Sequence, residues 1–515
     1  MNLVSQKEVK PEDKTNGDII KDIMKVCVPA TLTMFLYFSM EVIGAVFNGH
    51  LPEAEQIAGA GLCNMYCIIL CLSFAIGLNS ALSTLISQTF GTGNMYLCGV
   101  YLNRARVMAT IVFIALQPIL LSAEYLFLAL KFDAKTSHYA QIQIYWKIPG
   151  LLGYVYYDAT KRLLYNTGNQ NIPLYIQLGT TLFHPLWCYL FLHQFGLGIR
   201  ATAMAYSITN IANTIILLII VTKIDKLKDA IFWPNKDCFK GLGEYFRIGI
   251  FSAAIILFEW SAFDFMTLMS GFLGVNSTGA QSVLYNFECL IYMPALGLQI
   301  ATSAVVGNSI GSKNADLARR YARWAQIISL IETITIIIFV WFCRNLIAEF
   351  YTDIDKVELL TADALRYVAF VQLWNQQQAC QQGIMRGLGK VGLATFSVLT
   401  SYYVFTLPLG YIFAFHVGEN HETGKGMGIN GLWLGMFLGQ LVLCAMYQFF
   451  ISFKIDWHAI VKDSQDRAEK DEKLLSENNN DKQNLISNTN QNNSSRNGQD
   501  IELQDEQAKT TKTLQ

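Results

Sequence analysis

Charge is scarce in this chain. Only 15% of its 515 residues are Asp, Glu, Lys or Arg, while 52% are hydrophobic; an ordinary soluble protein carries about 25% charged residues. That balance excludes a soluble globular domain and points to a membrane protein with several crossings. Lys and Arg form no patch, so no nucleic-acid partner is expected. The eleven cysteines contain no CxxC pair. Cys63, Cys67 and Cys71 share a helical face but lie in an apolar run, where small apolar packing residues are the expected reading. HExxH and Walker A patterns are missing, so neither an enzyme nor a nucleotide motor is expected, nor a metal site or resident cofactor. The first twenty or so residues lack the apolar stretch of a signal peptide, leaving the first span to direct insertion.

What the chain has is long apolar runs, twelve of them, near 25–47, 57–80, 107–130, 138–158, 172–192, 201–222, 248–270, 279–307, 324–343, 362–384, 393–415 and 429–453. Each approaches the roughly 20 residues that a spanning helix needs and is far too long for a barrel strand. The expected fold is an all-α membrane protein of twelve transmembrane helices. Alternate connections hold the basic residues, among them Arg104, Arg106, Lys161, Arg162, Lys313, Arg319, Arg386 and Lys390, which places both termini in the cytoplasm. The expected organisation is a cytoplasmic segment 1–24, a first lobe 25–222, a cytoplasmic linker 223–247, a second lobe 248–453 and a tail 454–515. That tail is polar and rich in Asn, Gln and Ser, and is expected to be disordered. The sequon at Asn276 falls in a loop expected outside.

The chain repeats itself at an offset of about 220 residues: Gly77 to Asn94 (GLNSALSTLISQTFGTGN) aligns without a gap on Gly297 to Asn314 (GLQIATSAVVGNSIGSKN). Six spans per repeat is an even number, so the halves share one orientation, a symmetry common in secondary transporters whose substrate sites lie near the midplane.

Ionisable residues inside a membrane are costly, at about 2.5 to 3.5 kcal/mol on insertion scales, and mark function. Span seven holds two, Glu259 and Asp264. Five residues apart, they project about 140° apart on a helix and cannot aim at one spot. On span eight Tyr285, Glu288 and Tyr292 share a face, with Pro294 beyond to bend the helix; rings beside a carboxylate suit an organic cation, and suit plain packing equally. In span one, Glu41 shares a face with Tyr37, Gly44 and Asn48 and offers a cation site in the first lobe. The mid-span charges read as acidic, with basic residues kept to span ends where they can snorkel, which favours cationic over anionic substrates. Asp158, beside Lys161 and Arg162, reads as a structural ion pair.

The stretches Phe47-Asn48-Gly49-His50-Leu51, Thr84 to Gly91, Tyr189 to Gln194, Phe258-Glu259-Trp260, Val306 to Gly311 and Met385 to Gly389 together resemble eukaryotic members of the multidrug and toxic compound extrusion (MATE) family. The resemblance implies two pseudo-symmetric six-helix lobes around a central cavity, and export of small organic cations or other xenobiotics through the bilayer in exchange for H+, or Na+ in some relatives, by a monomer in the plasma membrane or an acidic organelle. It makes Glu259 the principal coupling residue with Asp264 as its partner, and puts Trp260 beside the cavity. Acids expected in spans eight and ten of relatives fall on Asn286 and near Asn375 and Gln376, which joins these amides to the expected cavity lining with Glu288, Tyr285, Tyr292 and Glu41. A carboxylate in a membrane interior exchanges protons near neutral pH more readily than one in water, the role expected of Glu259. A sodium-coupled or organic-acid exporter and a lipid-linked oligosaccharide flippase of the same broad fold are the alternatives.

Overall fold

The first helix begins at a reciprocal cap: Thr15 accepts from the Asp18 backbone N–H while the Asp18 carboxylate accepts from that of Thr15, satisfying two of the orphan donors at a helix start. In the computed structural model, which describes residues 14–352, 354–418 and 426–475, every regular element among the described residues is helical. Twelve rods follow one another: α1 (Asn16–Gly49), α2 (Ala54–Thr92), α3 (Met95–Leu121, extended by Ala123–Ala129), α4 (Ala134–Asn166), α5 (Asn171–Tyr189), α6 (Arg200–Val221), α7 (Leu242–Gly271), α8 (Val275–Gly311), α9 (Ala315–Tyr351), α10 (Asp355–Gly387), α11 (Val391–Phe415) and α12 (Ile429–Lys454). A thirteenth helix, α13, covers 457–475.

Nine of the twelve rods are long and apolar enough to cross a membrane by composition alone. The other three are α4, α5 and α10, and in α4 and α10 the polarity points inward: Gln143, Lys147, Asp158, Lys161 and Arg162 on α4 are buried, as are Gln372, Asn375, Gln376, Gln378, Gln381 and Gln382 on α10. In each lobe one such polar rod sits at the centre. α4 packs on α2 and α6, and α10 packs on α8, α9 and α12. The lobes meet where α1 lies along α8 and α2 lies along α7 and α8.

Glycine makes that meeting close. A Cβ on Gly77 would stand 2.2 Å from the Ala253 Cα, and one on its repeat partner Gly297 would stand 2.0 Å from Thr31 Oγ1. At the end of the bundle where α1 begins and α12 ends, Thr84 Oγ1 donates to the Arg386 carbonyl at 2.7 Å and Gln88 Nε2 to the Gly387 carbonyl at 2.9 Å, so α2 is stitched to the end of α10 and this end is sealed.

Two expectations need correction. The first helix starts at Asn16 and not near residue 25, because the cap supports extra polar turns outside the apolar run. The tail is not irregular from 454: α13 buries Trp457, Ile460, Ser464, Asp471 and Leu475 along one face, spaced as one stripe of a helix. The rest of the expected tail, from 476, lies outside the described residues, as do residues 1–13. Asp158 does sit in an ion pair, 3.1 Å from Lys161 and 2.8 Å from Arg162.

Candidate functional site

Glu259 lies midway along α7, 7% exposed. Its Oε1 accepts from Gln378 Nε2 at 3.2 Å, from the Tyr292 hydroxyl at 3.3 Å and from the Tyr402 hydroxyl at 3.5 Å. Three different rods supply those donors, and the two tyrosines are each aimed by a local feature. α8 is interrupted at Tyr292, one residue before Met293-Pro294; proline lacks a backbone N–H and breaks the ladder there. Tyr402 sits in a wide π turn, Thr400–Thr406, just ahead of Pro408, an irregularity often found at functional sites. Gln440 Nε2 on α12 donates to the Tyr402 hydroxyl at 2.7 Å and holds it in place.

Glu288, 3% exposed, is clamped by two amides of α10. Gln372 Nε2 donates to its Oε2 at 2.6 Å and Asn375 Nδ2 to its Oε1 at 2.5 Å. The two carboxylates belong to one chain of hydrogen bonds, because Gln378 Nε2 also lies 3.3 Å from Asn375 Oδ1 and 3.0 Å from the Tyr292 hydroxyl. Gln376, on the same rod, donates to the Ile291 carbonyl and to Gln372 Oε1, each at 3.1 Å. The buried oxygens of Gln376, Gln378 and Gln440 have no partner among the described residues, so the network keeps hydrogen-bonding capacity for a polar guest.

The other expected residues are distributed elsewhere. Asp264 is half-buried and shares no hydrogen-bond partner with Glu259 among the described residues; it lies within electrostatic range of Tyr285 and Cys289. Tyr285 packs its ring on Phe263, centroids 5.7 Å apart. Trp260 packs towards the first lobe, against the cluster that holds Met40, Cys63 and Tyr66. Asn286 is not in the network: it is exposed and donates to the Ser282 carbonyl of its own helix at 2.8 Å, since a residue two positions before Glu288 faces about 160° away from it.

Glu41 belongs to a separate small pocket in the first lobe, with room of about 20 Å³, lined by Met40, Asn48, Asn64, Gln143, Lys147, His184 and Tyr206 among others. Its Oε2 lies 3.6 Å from the Lys147 ammonium, which donates to Asn64 Oδ1 at 2.7 Å and sits 4.4 Å from the Tyr206 ring centroid. Lys147 is 4% exposed and lies near the middle of α4. Basic residues are therefore not confined to span ends.

A sequence model of the MatE family matches residues 29–190 and again residues 252–412. The chain belongs to the MatE family. The two matched stretches fall one in each half, so the family's own unit is the internal repeat. Among relatives, the zebrafish (Danio rerio) protein named multidrug and toxin extrusion protein 1 is 26% identical over 87% of this chain and 74% of its own length. The human (Homo sapiens) protein of that name is 26% identical over 87% of this chain and 77% of its own, and Protein DETOXIFICATION 9 of Arabidopsis thaliana is 24% identical over 88% and 92%. Among solved structures, the eukaryotic MATE transporter AtDTX14 superimposes with a TM-score of 0.81 at 23% identity, covering 88% of this chain and 99% of that one. An outward-facing multidrug resistance MATE family transporter of the MOP superfamily superimposes at 0.77 with 16% identity, covering 89% and 100%.

Reading this MatE chain by sequence missed four members of the network. Gln372 and Gln378 stand three residues either side of Asn375, a spacing that puts them on or beside one face of α10; that signal was available. Tyr402 and Gln440 carry no local signal, since only the packing of α11 and α12 brings them to Glu259. Lys147 was visible as a lone base inside an expected span.

Proposed function

We propose that this MatE protein is a secondary antiporter that exports small organic cations and other toxic compounds in exchange for protons, by alternating access. The observation that carries this reading is the buried network in which Glu259 and Glu288 are held by tyrosines and amides from α8, α10, α11 and α12. An ionised carboxylate there attracts a cation, and the rings of Tyr292 and Tyr402 add cation–π attraction. Protonation removes the attraction. At an effective dielectric constant of about 20, two unit charges 4 Å apart interact by about 4 kcal/mol, roughly a thousandfold in binding. That is ample for a proton arriving from one side to expel a cation taken up from the other. Because each ligand biases the conformational equilibrium only through its differential affinity, mutually exclusive binding links the two fluxes.

The groups facing Glu259 present N–H and O–H to it, which suits a proton site better than a sodium site, where oxygens are wanted. Names of the relatives, multidrug and toxin extrusion among them, support the substrate class. By its basic residues the sealed end faces the cytoplasm, which makes this an outward-type conformation. The membrane is one that carries a proton gradient, the plasma membrane or that of an acidic organelle, and the protein works there as a monomer.

The test is uptake of a fluorescent organic cation into proteoliposomes under an imposed pH gradient in sodium-free buffer, with Glu259→Gln in parallel. Gradient-driven uptake that the substitution abolishes is expected. Uptake that ignores the gradient, or that needs sodium, contradicts proton coupling.

A further inference from the structure

The helix that follows the last span touches both lobes, and nothing in cation–proton exchange at Glu259 calls for it. Two residues, Ile455 and Asp456, join α13 to α12, and the Asp456 carboxylate caps its start by accepting from the His458 backbone N–H at 2.9 Å. Trp457 and Ile460 then pack into the second lobe's core, and the Arg319 guanidinium carbon lies 6.0 Å from the centroid of the Trp457 ring. Asp463 stands 3.4 Å from Lys390, but that pair is exposed and contributes little. A connection this short and an anchor this apolar make the start of α13 part of the second lobe.

Its far end belongs to the first lobe. The buried Asp471 Oδ2 accepts from the Tyr101 hydroxyl at 2.5 Å and from Arg104 Nη1 at 3.2 Å, both on α3. Asn94, which caps the start of α3, donates to Glu472 Oε1 at 2.6 Å. Lys240 of the linker donates to the Leu474 carbonyl at 2.9 Å, and Leu475 joins the core that holds Leu82, Leu97 and Tyr101. Between the two attachments Arg467 Nη1 lies 3.4 Å from Gln88 Oε1, and the same glutamine bonds the Gly387 carbonyl across the lobes. α13 therefore lies over the seam.

The geometry points to α13 as a latch: fixed to the second lobe, it holds the sealed end shut by gripping α3, and the grip at Asp471 is the one that parts when this end opens. A helix of this length spans about 28 Å at 1.5 Å per residue and does not stretch. When α2 draws away from α8 and α10, one of the two attachments has to give way. The second-lobe attachment is tied by the chain itself and by buried apolar side chains. The first-lobe attachment centres on Asp471 and Arg104, 5% and 2% exposed, whose attraction is strong only while water is kept out. Arg104 Nε and Nη2 have no partner among the described residues, so water entering the seam finds donors waiting there. The grip is firm when the seam is dry and weak once it is wet.

The latch rests on the alternating-access reading above, and deepens it by naming the contact that controls the sealed end. Its test reads conformation and not transport, so either can fail without the other. Hydrogen–deuterium exchange of the full chain in detergent compares wild type with two variants. Asp471→Asn keeps an acceptor for Tyr101 but removes the charge facing Arg104; Tyr101→Phe deletes one hydroxyl and leaves α13 itself untouched. The decisive stretch is 305–314 of α8, across the seam from α3, where Gly311 packs on Gln88 and Gly91 of α2. Exchange there and at 84–94 is expected to rise by about tenfold in both variants, the effect of losing one charge-assisted hydrogen bond on an opening equilibrium. α6, which packs on α4 and α5 inside the first lobe, is expected to keep its wild-type rate. Exchange that rises only within 457–475, that rises equally in α6, or that stays at the wild-type rate at 305–314 in either variant overturns the latch.

Discussion

Gly91 and Gly311 pack against each other where the lobes meet, and they are the same residue of the internal repeat. A Cβ built on Gly91 would lie 2.8 Å from the Gly311 Cα, and one built on Gly311 would lie 2.9 Å from the Gly91 Cα and 1.8 Å from the Gln88 carbonyl oxygen. Their neighbours one turn earlier, Ser87 and Gly307, are repeat partners too, and a Cβ on Gly307 would meet Ser87 Oγ at 1.9 Å. Equivalent residues in mutual contact lie on the axis that relates the two lobes.

This makes Gly311→Ala a conformational mutation. Overpacking a tight contact costs about 1 to 3 kcal/mol, and the cost falls only on the sealed state, so the sealed population should drop by roughly 5- to 150-fold. Labelling of this end by a membrane-impermeant reagent should rise and transport should fall, with expression unchanged. Unaltered labelling would show that this end does not open by separating α2 from α8.

Asn375→Leu leaves one oxygen of Glu288 without its donor while the carboxylate stays buried. Hydrogen bonds to charged groups contribute about 1.5 to 3 kcal/mol, so the KM for a transported cation should change by about tenfold or more. Asn286→Leu, on the outer face of α8, the helix that carries Glu288, should change it by less than about twofold, the size of an ordinary surface effect. Equal effects from the two would mean that Glu288 takes no part in the site.

Asp158 answers Lys161, Arg162 and Asn79 at once. Asp158→Asn leaves two buried cations without their counter-charge, which should destabilise the protein by about 3 to 5 kcal/mol and show as an earlier thermal unfolding transition in detergent. An unchanged transition would contradict a structural role for this ion pair.

Span count, repeat and acid positions were legible because lipid leaves a helix few options: long apolar runs, an even number per half, and rare charges that stand out. Relations between rods were not. The amide run near Asn375 was visible, but that it closes on Glu288 depends on the rotation of α10 against α8. Asn286 was misplaced because a family position was carried over without regard to the face on which Glu288 stands. α13 was hidden by composition: its buried stripe includes Ser464 and Asp471, whose polarity reads as tail until Tyr101 and Arg104 are seen to meet it.

The most direct measurement is proton movement driven by substrate. Proteoliposomes holding the protein and an internal pH dye, in sodium-free buffer, are given an organic-cation gradient with no imposed pH gradient. Wild type should move protons opposite to the cation, and Glu259→Gln should abolish that movement. A cation flux with no counterflow of protons, or proton counterflow that survives Glu259→Gln, would contradict the account.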